Sequence, residues 1–474
     1  MKTFFLYLLL VGVLVETTWA QDLTGTWQGA LSVQGQSLPL VVHLKPVDGG
    51  YTGTLDSPKQ NAFGLAISSV ELNQKRLTLG LTALGASYEG TLVTADSLAG
   101  TWKQGGASFP LNLKRTDTEV GESRKPQEPK PPFLYESKDV SFQNAVAHLQ
   151  LAGTLTLPKG AGPFPAVVLV SGSGPQNRDE EIFGHKPFAV LADYLTRHNI
   201  AVLRYDDRGQ GQSQGDFATA TTEDFATDAA AAFAFLKQQA KIDPTRVGIV
   251  GHSEGGLIAP MLAAQDTTVA FLVLLAAPGV ATDDLMLQQS ILISEASGAA
   301  PQEIEQQVQL NRQLFNILKS NDEPEALLEQ MTELVDAEAK RRAGGDEATE
   351  AALKQQMTRA LAPTMSPWFR YFINLNPRPT LMQVTCPVLA LNGEKDLQVP
   401  AGPNLKALAD ALKSSGNTRV TTRELPGLNH LFQTAQTGLP AEYGQLEETF
   451  APVALETIAD WINGLAQQTY GVKE

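Results

Sequence analysis

Residues 246–264 read RVGIVGHSEGGLIAPMLAA. Val247 to Val250 is a continuous apolar run apart from Gly248, the pattern of a strand covered on both faces. Leu257 to Ala264 is apolar again and long enough to open a helix. Between the two lies Gly251-His252-Ser253-Glu254-Gly255, a G-x-S-x-G pattern. Glycines flank the serine because a strand-to-helix turn this tight leaves no room for side chains. Such a turn lifts Ser253 Oγ above the sheet and beside a helix N-terminus, where negative charge is favoured. Alone the pattern arises by chance; between a buried strand and an apolar helix it marks a nucleophile, with a purely structural turn as the competing reading.

The surroundings repeat the rhythm. PAVVLV (165–170), IAVLRYD (200–206), VAFLVLLAA (269–277) and PVLALNG (387–393) are further buried-strand runs, separated by helical patterns such as PFAVLADYLTRH and EDFATDAAAAFAFLKQQAK. Strand, loop and helix in alternation predict a doubly wound, mostly parallel α/β sheet. One connection, 280–385, is too long for a crossover. It is rich in Glu, Gln and Leu and predicts an inserted helical cap.

A serine hydroxyl needs a base. Of the six histidines, at 43, 148, 185, 198, 252 and 430, only His430 follows Ser253, in the loop LPGLNHLFQ, and the chain order for such an elbow is Ser, acid, His. His252 is expected to point away from its neighbour and pack; His185 and His198 read as structural. The acid belongs at the end of an intervening strand. Asp396 in PVLALNGEKDLQVP fits, with Glu394 as runner-up and Asp283 or Asp284 third.

Residues 171–180, SGSGPQNRDE, empty from the strand PAVVLV into a glycine-rich loop. A phosphate loop would need a Lys that is missing, and a dinucleotide fingerprint a third glycine where the run reads G-S-G-P-Q-N. A loop in this place supplies a backbone donor for a transient oxyanion. Ser173 or Gly174 N–H is expected to act with Glu254 N–H. RYDDRGQGQSQGD (204–216) fails the dinucleotide test as well, and Asp206 and Arg208 are expected to brace loops as a charged pair.

Taken together, VSGSGPQNRDE, HKPFAVLADYL, RYDDRGQGQS, GHSEGG, CPVLALNGEKDLQVP and LPGLNHLFQ resemble secreted bacterial carboxylesterases of the α/β-hydrolase superfamily, near the dienelactone hydrolases and prolyl-oligopeptidase-like enzymes. The resemblance runs from about Phe133 to the C-terminus. It implies an α/β-hydrolase fold and a Ser253–Asp396–His430 triad; no H-E-x-x-H or clustered Cys/His ligand set appears in the sequence, so no cofactor or metal is expected. Ser171-Gly172 replaces the usual His-Gly before the oxyanion residue, and serine stands where dienelactone hydrolases carry cysteine, which argues against dienelactone chemistry. Residues 21–115 are loosely similar to the β-rich N-terminal domains of some such esterases.

That first segment alternates apolar and polar residues with Gly, Asp and Asn at the breaks, predicting a small antiparallel barrel or sandwich whose tryptophans pack its core. Residues 116–132, TDTEVGESRKPQEPKPP, read as a stiff, solvated linker to a catalytic domain at 133–474. Residues 1–20 carry Lys2, an apolar core too short to span a bilayer and small residues before Gln21. They predict a cleaved secretory signal, a secreted or periplasmic protein beginning at Gln21, and no membrane anchor. The net charge of −15 argues against nucleic acid and anionic lipid as partners. Cys386, the single cysteine, reads as a core residue, with a cysteine nucleophile as the lesser alternative.

The leading function is therefore hydrolysis of soluble small-molecule esters of short acyl chain. A serine peptidase of prolyl-oligopeptidase-like type is the alternative; its usual N-terminal propeller is absent. A non-enzymatic binding protein is third. The end of the cap, MSPWFRYFINLNP (365–377), places Trp368, Phe369, Tyr371 and Phe372 where they form either a pocket wall limiting chain length or the core of the cap. A lipase is opposed by the lack of a long apolar cap face.

Overall fold

The computed structural model describes residues 22–470, apart from 34–35, 48, 58–61, 106, 117–124 and 321–322. The signal-peptide reading of residues 1–20 lies outside the described residues. The chain forms two compact units, Met1–Glu122 and Ser123–Glu474. Among the described residues no helix is long and apolar enough to cross a membrane.

The first unit holds strands β1 (Gly25–Val33), β2 (Gln36–Val47), β3 (Gly50–Ser57), β4 (Ala62–Ala66), β5 (Ser69–Asn73), β6 (Arg76–Leu81), β7 (Ala86–Thr94), β8 (Ser97–Gln104) and β9 (Ala107–Thr116). They make one continuous antiparallel sheet in the order 4-3-2-1-9-8-7-6-5. Its two ends approach each other: Ile67 N–H donates to Gly53 O in β3 and Ser68 N–H to Gly80 O in β6, at 3.0 and 2.7 Å. A curled sheet lets alternate residues of every strand share one core. Trp27 and Trp102 are buried in it, at 0% and 2% exposure, so both tryptophans pack and neither offers a stacking face.

The second unit carries β10 (Glu136–Asn144), β11 (Leu149–Leu157), β12 (Phe164–Val170), β13 (Ala201–Tyr205), β14 (Ile242–His252), β15 (Leu272–Leu275), β16 (Val388–Gly393) and β17 (Val420–Leu425), in the order 10-11-13-12-14-15-16-17. Strand β11 runs antiparallel to both of its neighbours, β10 and β13, and the remaining pairs are parallel. This is the doubly wound sheet expected from the apolar runs. One core lies on each of its faces. Helix α1 (Pro187–Arg197) packs on one face, α2 (Thr222–Lys237) and α3 (Gly255–Gln265) on the other. Helix α2 begins where it does because Thr221 accepts from Asp224 N–H while the Asp224 carboxylate accepts from Thr221 N–H. Cys386 is buried in the sheet core, and burial pushes its thiol up to about 11, which makes it inert packing.

The register positions the site. Leu169 pairs with Val250, and Val170 with Gly251, so the loops that leave β12 and β14 emerge side by side. His252 pairs with Leu275, and Gly393 with Leu425, which brings the ends of β15, β16 and β17 to the same edge. Ligands of open parallel sheets bind beyond these carboxyl ends. Over that edge the insertion folds into α4 (Thr282–Ala296), α5 (Pro301–Leu318), α6 (Pro324–Ala343), α7 (Glu347–Leu361) and the short α8 (Pro367–Phe372), with its own small apolar core. Lys125, Gln127 and Glu128, from the stretch read as a solvated linker, are instead held against this unit: Lys125 Nζ donates to Leu446 O, Gln127 Nε2 to Phe450 O, and Glu128 pairs with Lys186.

Candidate active site

Ser253 sits at the tip of the β14–α3 turn with φ of 50°, a left-handed conformation that costs a non-glycine residue on the order of 1–3 kcal/mol. Its neighbours explain the glycines. A Cβ on Gly251 would lie 2.0 Å from Gly255 O, and one on Gly255 would lie 2.1 Å from Val170 O. The turn is fixed by Ser253 N–H donating to Leu275 O at 2.8 Å. The Ser253 side chain makes no hydrogen bond among the described residues and faces a cavity of about 230 Å³ that His430 also lines.

The structure brings Asp396, not Glu394, to His430. His430 Nδ1–H donates to Asp396 Oδ2 at 2.8 Å, which leaves Nε2 for the cavity. Asp396 is buried, and its other oxygen accepts from Gln398 N–H and Val399 N–H, while Asn392 Nδ2 donates to Oδ2. The carboxylate is thereby locked in orientation. Glu394 is exposed and braces Gly427 N–H; Asp283 pairs with Lys319 in the cap.

Ser173 and Glu254 line the same cavity, and among the described residues neither backbone N–H has an acceptor. Glu254 stands at the start of α3, where the first N–H groups have no intrahelical partner. Gly174 instead borders a separate small pocket with Asp207. The loop 171–180 is fastened from beneath: Ser171 Oγ donates to Asp207 Oδ1, Gln176 N–H to Oδ2, and Arg178 pairs with Asp206. Asp206 and Arg208 are therefore not a pair. Asp206 secures this loop, and Arg208 turns to Asp228 on α2 at 2.7 Å.

The four cap aromatics divide. Trp368 and Phe372 line the cavity and stack at 5.3 Å, whereas Phe369 packs on Phe315 within the cap, and Tyr371 lies beside Glu223 on α2; burial, then the Glu223 charge, holds its phenol up. Trp368 Nε1–H donates to both oxygens of Glu254, at 2.9 and 3.0 Å, and Thr222 Oγ donates to Oε1 at 2.7 Å. Burial raises the Glu254 carboxyl above the usual range. The rest of the wall is apolar, from Ile182, Leu285, Met286, Val399 and Leu431, with the amides of Gln176, Gln289 and Gln398.

Sequence reasoning alone misses the roles of two residues in this region. Glu180, the last residue of SGSGPQNRDE, is buried and accepts from Gly172 N–H and His252 Nδ1. His252 is more than packing: its Nε2–H also donates to His430 O at 3.0 Å. His185 is buried and His198 lies at the exposed end of α1, both away from the cavity wall.

An eight-stranded sheet of this order, with a strained serine on its elbow and a buried Asp–His pair facing it, places the molecule in the α/β-hydrolase class. More narrowly, the chain belongs to the family described as serine aminopeptidase, S33 (Hydrolase_4), whose model matches residues 185–434. The esterase EstD of Thermotoga maritima is 35% identical over 158 residues, 33% of this chain; the match spans about a third (36%) of that relative's length. Among solved structures, a hypothetical protein of Pseudomonas aeruginosa is similar with a TM-score of 0.44 at 16% identity, covering 74% of this chain and 98% of that one. An esterase of Pyrococcus furiosus is similar with a TM-score of 0.42 at 14% identity, covering 70% and 91%.

Proposed function

We propose that the protein is an exported serine esterase that hydrolyses soluble esters of short-chain carboxylic acids. The observation that carries this reading is the shared cavity of Ser253 and His430, with His430 held by Asp396. His430 Nε2 takes the Ser253 Oγ proton as oxygen attacks the ester carbonyl. Ser173 and Glu254 N–H groups receive the oxyanion. The imidazolium returns its proton to the leaving alcohol, and an acyl-enzyme remains. Water then gives a proton to His430 and attacks the acyl carbon; the acid departs and Ser253 is regenerated. A cavity of about 230 Å³, roofed by Trp368 and Phe372, is smaller than the ~300–1,000 Å³ of pockets for drug-sized ligands, and so favours short acyl chains.

The aminopeptidase in the family's description supplies the second reading, and the 35% identity to EstD supports the first. An aminopeptidase needs a carboxylate to meet the substrate's ammonium. The carboxylates on the wall, Glu180 and Glu254, are already engaged by His252 and Gly172, and by Thr222 and Trp368. Purified protein assayed on p-nitrophenyl esters from acetate to palmitate, beside aminoacyl p-nitroanilides, tests both. Ester turnover falling beyond a medium chain, without activation by droplets, is expected. Faster anilide cleavage would make it a peptidase, and rates rising to palmitate a lipase.

A further inference from the structure

Three loops must hold still around Ser253: its own elbow, the loop of Ser173 and the loop of His430. One buried pair of side chains touches all three. His252 belongs to the elbow; its Nε2 lies 3.0 Å from His430 O and its Nδ1 2.8 Å from Glu180 Oε1. The same Oε1 lies 2.7 Å from Gly172 N–H, next to Ser173. Both side chains are buried, at 8% and 4% exposure.

The protons can be counted. A carbonyl only accepts, so His252 Nε2 carries a hydrogen. A neutral ring would then turn the Nδ1 lone pair toward the Glu180 oxygen, lone pair against lone pair at 2.8 Å. A proton must lie between them, and because Oε1 also accepts from Gly172 N–H, a double load that an ionised carboxylate oxygen carries better than a carboxylic hydroxyl, the proton goes to Nδ1. We infer that Glu180 and His252 form a buried carboxylate–imidazolium pair that positions the oxyanion loop and the base loop about the nucleophile. Burial of the ring opposes its protonation, yet the adjacent Glu180 charge prevails and the His252 pKa lies above the ordinary histidine value. Neither residue needs to touch the reacting atoms; they act through Gly172 and the His430 backbone. An uncompensated charge would be costly here, but paired and hydrogen-bonded charges are held strongly in one geometry. Glutamine could not replace the glutamate. It offers a single acceptor oxygen, and cannot both accept from Gly172 and donate to a neutral His252 from the same atom.

This inference rests on the esterase reading, and the experiment separates the two. Glu180→Gln and His252→Gln should each lower kcat on p-nitrophenyl butyrate about 100-fold, as misplaced reacting groups do, with KM unchanged. A fluorophosphonate should still label each variant to completion. Because both changes break one device, the double variant should lose no more than the worse single. Multiplied losses, or full kcat in either single, would overturn the positioning role, whereas turnover surviving in Ser253→Ala would overturn the esterase reading itself. Should the variants not fold, ¹⁵N-histidine spectra of the wild type decide. One ring with contacts to the His430 ring should keep both nitrogens protonated at pH values above the ~6.5 of a free histidine. A singly protonated ring there would sink the proposal.

Discussion

At the scale of single residues, the proposed chemistry makes sharp demands. Ser253→Ala removes the attacking oxygen and should cost on the order of 10⁶ in turnover, leaving only what binding and oxyanion contacts provide. Activity retained by that variant, with label on another serine, would dismiss the elbow. Asp396 accepts His430 Nδ1–H and so selects the tautomer with a free Nε2. Asp396→Asn should lower kcat on the order of 10⁴-fold, whereas Glu394→Gln, which only loosens a turn at Gly427, should leave it near normal. The reverse ranking would move the acid by two residues. Ser253 and Asp396 are legible in the sequence because each follows a buried strand, and His430 because it is the one histidine after Ser253, in a loop beyond the mostly exposed β17. Glu180 is not. It meets a partner 72 positions away, across a loop where Glu180 itself adopts φ of 50°, and no local pattern encodes that.

At the scale of elements, strands β12 to β16 announce themselves as largely apolar runs, and the structure has a strand at every one, whereas the parallel edge strand β17, VTTREL, is mostly exposed and carries no such run. The short helix α8 is less readable, because six residues complete fewer than two turns and its faces cannot be told apart by periodicity. The fold sends Trp368 and Phe372 to the cavity, Phe369 to the cap core and Tyr371 to Glu223. Two substitutions separate the roles of Trp368. Trp368→Phe keeps a ring but loses the N–H to Glu254, leaving a buried carboxylate short of a donor; it should lower the melting temperature and keep the chain-length preference. Trp368→Ala also opens the wall and should shift the optimum to longer acyl chains, at a stability cost of roughly 3–5 kcal/mol. An unchanged chain-length profile in the alanine variant would assign Trp368 to packing alone. The segment before the α/β unit misleads for a related reason. Its charge and prolines suggest solvation, but Lys125 and Gln127 find half-buried backbone carbonyls at Leu446 and Phe450. A fragment starting at Ser123 should therefore melt higher than one starting at Phe133, and equal melting points would show these contacts to contribute nothing.

For the molecule as a whole, two buried histidines set opposing limits on stability. His185 has its ring wedged between Lys125, Gln433 and Thr449, and burial, then the Lys125 charge, lowers it to about 4. A depressed base is neutral when folded but takes up a proton when unfolded below about 6.5. Its contribution is present above pH ~6.5 and is lost as the pH falls toward 4. His252 behaves oppositely. Glu180 outweighs burial and raises it, so the folded state keeps a proton that the unfolded chain releases, and that contribution is complete below pH ~6.5 and lost as the pH rises through the folded value. By themselves these two rings make the urea midpoint highest near pH ~6.5, with a decline on both sides. Burial raises the carboxyls of Asp207, Asp228 and Glu254, which strengthen the fold as the pH falls. Ordinary carboxylates stay ionised between pH 7 and 5, so an acid-side decline over that range belongs to His185. His185→Gln should flatten it and leave the alkaline side alone; His252→Gln should do the converse. Matching pH profiles in wild type and both variants would show that neither ring titrates with folding, and would leave the acid limit to the carboxylates of this strongly acidic chain.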